Sequence, residues 1–436
     1  MASRERFVAL DGLRGAAAVY VVLFHVNWQT HLSRSTFIAN GFLAVDLFFV
    51  LSGFVIATVY GRRIADGLDF TRFMLRRFFR LYPLHLFVLA CFLALETARA
   101  VWVGLGHPPN GPMPFAGERG LDLVAAHLFL VQGLGFNGTI GWNAPSWSIS
   151  CEFAAYVAFG LLALAAASRG RGAAGHGAAP AAAPQPRDPG VGARGLMLAL
   201  AALAALALYW PIAVGAFGTF SGSARCAAGF TLGACIAGLV RRPSWRRLAD
   251  GVGTGGLAAA QLAVAATVLA ILAFVSGPWA FAVVPLFGAA LLLLVGDVGP
   301  LAVPLTTATA QFLGRISYSV YMVHVFVVIP FTFALKRLPG SGSFSPLPDG
   351  RLLMLANPAI GDVLMVVYLA VVLLVSTATY RYVEAPGRAL GQRLTDGPGY
   401  RRRAAAGRQA GDATAVRALP ADRLEPPVRK EALHVQ

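Results

Sequence analysis

The chain has 436 residues, of which 57% are hydrophobic and 13% are charged, and its formal net charge is +16. Soluble domains carry about 25% charged residues, so this composition excludes a single water-soluble core and calls for lipid as the solvent. The positive charge is mostly arginine in short segments beside apolar runs, without any nucleic-acid-binding motif, so nucleic acid is set aside as a partner.

Ten apolar runs are long enough to cross a bilayer, because a spanning helix needs roughly 20 residues. The predicted spans are residues 8–28, 41–60, 81–104, 147–167, 196–214, 225–240, 256–275, 279–296, 316–334 and 361–380. An eleventh run, residues 122–134, is too short to span and is predicted to be re-entrant or to lie at the membrane surface. The sequence therefore predicts an all-α membrane protein with about ten transmembrane helices in one bundle.

Basic residues predict the orientation of this bundle. With the N-terminus in the cytoplasm, 28 Lys and Arg residues fall in cytoplasmic segments and only five in outer loops. The positive-inside rule then places both termini in the cytoplasm. Residues 1–394 are predicted to form the transmembrane domain, residues 168–195 a disordered cytoplasmic loop, and residues 395–436 a disordered basic cytoplasmic tail.

The first span carries an arginine and a histidine that indicate chemistry inside the membrane. Arg14 and His25 are eleven residues apart, so they share one helix face and lie about 16 Å apart along it. This predicts a permanent cation at the cytosolic mouth, suited to a phosphate-bearing ligand, and an imidazole near mid-membrane, suited to a general base. If these two residues have only a structural role, Arg14 is expected to pair with Asp11 at the span edge, and His25 is expected to be a buried hydrogen-bonding side chain.

The second span contains a carboxylate inside the membrane. Asp46 is costly in lipid unless it has a partner, and either His25 or an arginine is the expected one. Ser52 and Gly53 follow along the same span as small residues that permit close helix approach.

Four arginines precede the third span in a segment predicted to be a loop. Positive-inside anchoring explains Arg72 and Arg76. Arg77 and Arg80 share a face if the helix has already begun. With Arg14 they are predicted to form a cytosolic anion site suited to the phosphates of coenzyme A.

Later spans add further polar groups at membrane depth. Trp147, at the start of the fourth span, is suited to interfacial anchoring, whereas Glu152 lies about one and a half turns into lipid, near the depth of Asp46. Glu152 is suited to orienting an imidazole or holding an acceptor hydroxyl. In the ninth span His324 is a second mid-membrane histidine, which favours a polar cavity inside the bundle. Glu384 is predicted to pair with an arginine at the cytosolic edge.

Taken in order, these strings resemble the acyltransferase 3 family of integral membrane acyltransferases over residues 7–390. The family's Arg-x10-His pattern falls on Arg14 and His25. Its other motifs fall on Phe48, Phe49, Ser52 and Gly53, on Arg77 and Arg80, on Trp147, Ser148 and Glu152, on Ser317, Tyr318 and His324, and on Glu384 and Pro386. Each string alone is weak, but their order and spacing are specific.

The resemblance implies an O-acyltransferase of a bacterial inner membrane that moves an acyl group, acetyl by preference, from cytosolic acyl-CoA to a hydroxyl of a sugar-containing acceptor such as a surface polysaccharide. Acyl-CoA is then a substrate, and neither a permanently bound cofactor nor a metal is expected. The predicted site comprises catalytic His25, Asp46, Glu152 and His324, donor-binding Arg14, Arg77 and Arg80, and substrate-binding Trp147, Ser148 and Tyr318. A proton-coupled transporter or flippase that uses the same buried groups, and a non-catalytic scaffold, stay open as alternatives.

Overall fold

The computed structural model describes residues 7–61, 64, 67–109, 111–135, 140–174, 219–337, 343–347 and 351–396, and these are almost entirely helical. The main helices are α1 (Val8–Phe24), α2 (Ala44–Tyr60), α3 (Gly67–Gly104), α4 (Asp122–Leu128), α5 (Trp147–Ala174), α6 (Thr219–Val240), α7 (Pro243–Phe274), α8 (Val283–Leu294), α9 (Ala308–Leu335), α10 (Pro358–Thr379) and α11 (Ala385–Thr395).

Short elements connect these helices. Two one-turn helices, Thr36–Ala39 and Ala302–Leu305, precede α2 and α9, and a π-helical turn, Tyr380–Glu384, joins α10 to α11. The 3₁₀ turns are Asn40–Leu43, Gly117–Arg119, Ala144–Ser146 and Gly277–Ala282. Strands β1 (Phe344–Pro346) and β2 (Leu352–Met354) pair antiparallel between α9 and α10.

The helical bundle predicted from the sequence is confirmed. Among the described residues, eight helices are long and apolar enough to cross a membrane. Helix α1 is shorter, with 17 residues, but it coincides with the first predicted span. The predicted span at residues 196–214 lies outside the described residues, as do most of the predicted loop at 168–195 and the predicted tail at 395–436, so these predictions stay open.

The third span is longer than predicted, because helix α3 begins at Gly67 and not near residue 81. The segment interpreted as an arginine-rich loop is therefore helical. Phe73 is buried against the rings of Tyr60 and Tyr156, and Arg77, one turn later, contacts the same two rings. The helix passes through Pro83 without ending.

Several other boundaries differ from the sequence-based prediction. Helix α1 ends at Phe24, four residues early, while α6 begins at Thr219 and α9 at Ala308, six and eight residues early. Helix α7 begins at Pro243, but its backbone is not helical at Gly253, so the part after this kink begins close to the predicted residue 256. Helix α5 continues to Ala174, into the segment predicted to be disordered. The run at 122–134 is helical only as far as Leu128, which agrees with the prediction that it does not span.

Helices α1 and α9 run parallel in close contact at the centre of the bundle. A Cβ atom built on Gly12 would lie 2.0 Å from the carbonyl oxygen of Leu305, and one on Gly15 would lie 2.6 Å from the backbone nitrogen of Gly314. Only glycine permits this backbone approach, as is common where helices pack in membranes. The two helices therefore hold their polar side chains at fixed relative positions.

The bundle has two distinct ends. We call the end that carries Arg14, Arg77 and Arg80 the arginine end, and the opposite end the far end. The last helix, α11, finishes at the arginine end, since the Nε atom of Arg72 donates to the carbonyl oxygen of Thr395 at 3.0 Å. The start of α1 and the end of α11 therefore lie at the same end of the bundle.

Candidate active site

A cleft at the arginine end lies between α1, α2, α3, α5 and α9, with about 670 Å³ of space not filled by atoms, including the part that is open to the surroundings. It brings together six of the residues that the sequence analysis assigned to the site: Arg14, Arg77, Arg80, Ser148, Glu152 and Tyr318. These residues come from four helices that are far apart along the chain. Tertiary packing therefore creates the cleft, although each helix carries its own contribution in its local sequence.

The three cleft arginines have few partners. Arg14 bonds only weakly to Asp11, at 3.3 Å. Arg77 donates to the hydroxyl of Tyr60 at 3.3 Å, while its Nε atom is buried without a hydrogen-bond partner. Arg80 makes no hydrogen bond or ion pair with any residue that the structure describes. Arg77 and Arg80 therefore form no ion pair with a described carboxylate, and cations held in a cleft in this way suit an anion-binding site.

Two tyrosine rings hold the guanidinium of Arg77 in place. Its Cζ atom lies 5.3 Å from the centre of the Tyr60 ring and 5.9 Å from that of Tyr156. Cation–π contacts of this kind favour a fixed position for the charge without neutralising it.

Glu152 faces the arginines from helix α5. Its Oε1 atom accepts a hydrogen bond from the hydroxyl of Ser52 at 2.5 Å and a second from the hydroxyl of Tyr156. Ser52 therefore donates to a cleft carboxylate, in addition to the packing role predicted for it. The neighbouring Gly53 does serve packing, since a Cβ atom there would lie 1.9 Å from the carbonyl oxygen of Phe230.

Tyr321 forms the deep end of the cleft. Its hydroxyl lies 2.7 Å from that of Ser148 and donates to the carbonyl oxygen of Pro145 at 2.8 Å. The Tyr321 ring also lies 6.0 Å from the ring of His324, centre to centre. Tyr321 thus lies between the cleft and His324.

The two predicted histidines meet beyond Tyr321. The ring centres of His25 and His324 are 4.7 Å apart, although neither residue lines the cleft. Each Nδ1 atom faces a carbonyl oxygen one turn earlier, Val21 at 2.9 Å and Val320 at 3.2 Å, respectively. A carbonyl only accepts, so each Nδ1 carries the proton and each Nε2 is left as a proton acceptor.

The Nε2 atom of His324 is buried without a hydrogen-bond partner. The Nε2 atom of His25 likewise makes no hydrogen bond to any described residue. Two adjacent imidazoles with free acceptor atoms, one just past the end of α1 and one within α9, are suited to removing a proton.

Asp46 does not lie against either histidine. Its two carboxylate oxygens accept from Nε and Nη2 of Arg225 on helix α6, at 3.0 and 2.5 Å. The expectation that Asp46 would have a partner is correct, and the partner is an arginine. The suggestion that Asp46 or Glu152 orients His25 is not supported by the contacts, because backbone carbonyls orient both histidines.

The remaining predicted residues are spread around the cleft. Trp147 does not line it and lies under Arg225, whose Cζ atom is 5.7 Å from the indole ring. The Tyr318 hydroxyl donates to the carbonyl oxygen of Leu81 at 2.6 Å. Glu384 accepts from Ser319 at 2.8 Å and pairs with Arg388 at 3.6 Å, as predicted for an arginine partner at this end.

Sequence reasoning missed three contributors to the site. Tyr156 had a detectable signal, because it lies one helical turn after Glu152 on the same face. Arg225 is the first residue of the predicted span 225–240, but the sequence analysis gave it no role. Tyr321 gave no separate signal, since a tyrosine in a span is equally suited to packing.

An arginine-lined cleft beside a histidine pair, in a bundle of helices long enough to cross a membrane, is compatible with an integral membrane acyltransferase. Residues 7–381 match the model of the acyltransferase 3 family, described as an acyltransferase domain. The chain belongs to this family.

Curated relatives agree with this assignment. The chain is 38% identical to "Protein 2 in picA locus" of Rhizobium radiobacter, over 36% of this chain and 85% of that protein. It is 37% identical to acyltransferase MdmB of Streptomyces mycarofaciens, over 36% of this chain and 39% of that protein.

A third relative is a peptidoglycan O-acetyltransferase, OatA of Listeria monocytogenes, which is 35% identical over 19% of this chain and 12% of that protein. For the last two relatives, the matched part covers well under half of the relative's own length. No solved structure matches the chain.

Proposed function

We propose that this protein transfers an acyl group, acetyl by preference, from cytosolic acyl-CoA to a hydroxyl of a sugar-containing acceptor. Membership of the acyltransferase 3 family supports the reaction class. The relative OatA, named a peptidoglycan O-acetyltransferase, supports both the acetyl group and the sugar-containing acceptor.

The observation that carries the donor proposal is the set of unneutralised arginines in the cleft. Arg80 has no partner among the described residues, and the Nε atom of Arg77 is buried and unpaired. Phosphate oxygens would satisfy both, because arginine forms short, charge-assisted hydrogen bonds with phosphate. In this proposal the phosphates of acyl-CoA bind at the arginine end, which the positive-inside rule assigns to the cytoplasm.

The thioester would then extend along α1 towards the histidine pair. The eleven residues between Arg14 and His25 span about 16 Å, within reach of a pantetheine arm. At that depth His25 removes the proton of the acceptor hydroxyl with Nε2. The hydroxyl oxygen attacks the thioester carbonyl, the carbon–sulfur bond breaks, and the thiolate leaves and takes up a proton.

Glu152 and Tyr321 have supporting roles in this proposal. Glu152, held by Ser52 and Tyr156, sets the charge balance among the cleft arginines. Tyr321 lies between the cleft and His324, so its ring and hydroxyl contact the acyl arm as it passes. The acyltransferase would act as a multi-pass protein of the bacterial inner membrane.

The test uses purified protein in lipid nanodiscs with acetyl-CoA. We expect His25→Ala to abolish release of the CoA thiol while the protein stays folded and monodisperse. Arg80→Ala should raise KM for acetyl-CoA by roughly tenfold or more, which corresponds to one charge-assisted hydrogen bond. Arg76→Ala is the matched control, because Arg76 is on the same helix but bonds Thr395 and Asp396 outside the cleft.

Wild-type CoA release by His25→Ala would overturn the proposed chemistry. If Arg80→Ala and Arg76→Ala change KM for acetyl-CoA equally, the proposed donor site would be overturned. A protein that moves a solute across liposomes without any acyl-CoA would favour the transporter interpretation.

A further inference from the structure

The far end of the bundle carries a second and larger cavity, with about 2420 Å³ of space not filled by atoms, including the part that is open to the surroundings. It is a groove between the C-terminal ends of α3 and α9, covered in part by residues 112–119. We call it the far groove. The cleft at the arginine end shares no lining residue with it.

The far groove has an excess of positive charge. Four cations line it, and one of its two carboxylates, Glu96, is already fully occupied. Glu96 is completely buried and accepts from Arg99 at 2.7 Å and also from Arg119. Two guanidinium groups around one carboxylate leave a net positive charge at this place.

Two further cations at the rim have no carboxylate partner among the described residues. The Cζ atom of Arg337 lies 3.8 Å from the centre of the Phe333 ring, and the Nζ atom of Lys336 lies 5.4 Å from that of Phe344. Aromatic contacts position these charges without neutralising them. The second carboxylate of the groove, Glu118, forms no ion pair with a described residue.

Apolar side chains make up much of the remaining lining. Trp102, Met113 and Phe333 are exposed by 48%, 55% and 39%, although they lie side by side in a concave surface. The cations and these apolar side chains lie together at the ends of two spans, where the surface adjoins the lipid.

Two residues that line the groove lie near the histidine pair along the chain. Asn27 and Phe326 each follow a histidine of the pair by two residues. On helix α9 this is about 3 Å of rise, although His324 and Phe326 face different sides of the helix. Asn27 accepts a hydrogen bond from the hydroxyl of Thr332 at 3.0 Å, which gives this part of the groove a polar pair suited to sugar hydroxyls.

We infer that the far groove binds the acyl acceptor, and that this acceptor is an anionic amphiphile: a sugar joined through phosphate to an apolar chain. The cations would bind the phosphate, the exposed apolar side chains would contact the chain, and the sugar would reach inwards past Asn27. A free neutral sugar would use neither the cations nor the apolar surface. This inference rests on the proposed acyl transfer and specifies its acceptor.

Binding can be tested without turnover, because Trp102 reports on the groove. We would titrate the full-length protein, in nanodiscs of neutral phospholipid, with farnesyl phosphate and separately with farnesol. The Trp102 signal is the difference between wild type and Trp102→Phe. We expect farnesyl phosphate to bind at least tenfold more tightly than farnesol. Equal affinities would overturn the inference.

Charge variants identify the phosphate contact. Lys336→Gln combined with Arg337→Gln should remove the tenfold preference for farnesyl phosphate. Arg34→Gln, an exposed cation outside the groove, should preserve it. An unchanged preference in the double variant would overturn the assignment.

Two further experiments distinguish an acceptor-binding site from a general lipid-binding site. Phosphatidylglycerol should compete at least tenfold less well than farnesyl phosphate, and equal competition would make the groove a general lipid site. With acetyl-CoA, a sugar linked through phosphate to farnesyl should show a lower KM than the same sugar free, and the double variant should abolish that difference. If farnesyl phosphate binds as expected but no acceptor causes CoA to be released from acetyl-CoA, the proposed acyl transfer would be overturned. The assignment of the groove as a binding site would still hold.

Discussion

The carboxylate of Asp46 and the guanidinium of Arg225 meet inside the bundle, where each alone would be an uncompensated charge. Asp46 is 1% and Arg225 7% exposed, and the contact uses two parallel hydrogen bonds. Three aromatic rings, those of Phe42, Trp147 and Phe281, lie within 5.2–5.7 Å of the arginine. This pair fixes α2 to α6 and explains why an aspartate is tolerated in an apolar span.

At the scale of single residues, the structure predicts that this pair is structural. Asp46→Ala should destabilise the protein by about 3–5 kcal/mol, because it leaves a buried arginine unpaired. The double variant Asp46→Leu with Arg225→Met should recover most of that loss, since it removes both charges. Thermal unfolding of the detergent-solubilised variants measures this.

The same double variant tests the catalytic role that the sequence analysis gave to Asp46. A stable double variant that releases CoA at the normal rate would show that Asp46 only supports the fold. A double variant that is stable but inactive would support a catalytic role for Asp46.

Residue types and their spacing allowed much of the site to be predicted, but partners were not predictable. Arg14, Arg77 and Arg80 were expected to converge, and they do line one cleft. The sequence left two possible partners for Asp46, a histidine or an arginine. It could not decide between them, because Arg225 lies 179 residues away and no local pattern connects it to Asp46. Pairing across that separation is decided by helix packing.

At the scale of helices, α2 and α6 are held together by glycines that face each other's backbone. A Cβ atom on Gly53 would lie 1.9 Å from the Phe230 carbonyl oxygen, and one on Gly233 would lie 2.0 Å from that of Val50. Since Ser52 is adjacent to Gly53, any separation of these helices also moves the hydroxyl that bonds Glu152.

We therefore expect Gly53→Ala to reduce both thermal stability and CoA release, because backbone atoms cannot move aside as a flexible side chain can. Gly255→Ala is the matched control, since nothing lies within 4 Å of a Cβ atom at that helical glycine. Unfolding temperature and the rate of CoA release would be measured for both. A harmless Gly53→Ala would contradict the close approach of α2 and α6.

Helix boundaries were the weakest part of the sequence-based prediction, and α3 shows why. The span was predicted from residue 81 because hydropathy falls where the arginines begin. The helix nevertheless starts at Gly67, because apolar residues such as Phe73 and Met74 continue its inner face between the charges. Hydropathy averages over all faces of a helix, whereas folding depends on one of them.

At the scale of the whole molecule, the arginine end is expected to face the cytoplasm. A single cysteine introduced as Arg34→Cys at the far end should react with a membrane-impermeant maleimide on intact cells. One introduced as Gln392→Cys on α11 should react only after permeabilisation, since Gln392 is exposed at the arginine end. The reverse labelling pattern would contradict both the orientation and the proposed side of donor entry.

The overall architecture was predictable because lipid leaves few choices. Each apolar run of sufficient length must form a helix to satisfy its backbone, and so the all-α bundle follows from composition alone. The far groove was not predictable, because Glu96, Arg119 and Lys336 come from separate segments that meet only after the helices pack.

The contact between α1 and α9 has a consequence for biosynthesis. Gly15 and Gly314 are about 300 residues apart in the chain, yet a Cβ atom on Gly15 would lie 2.6 Å from the backbone nitrogen of Gly314. At ordinary translation rates the ribosome needs roughly 15–60 s to make that intervening sequence. During this interval the newly inserted first helix, short and carrying both Arg14 and His25, must remain in the bilayer before the helix that will cover it has been synthesised.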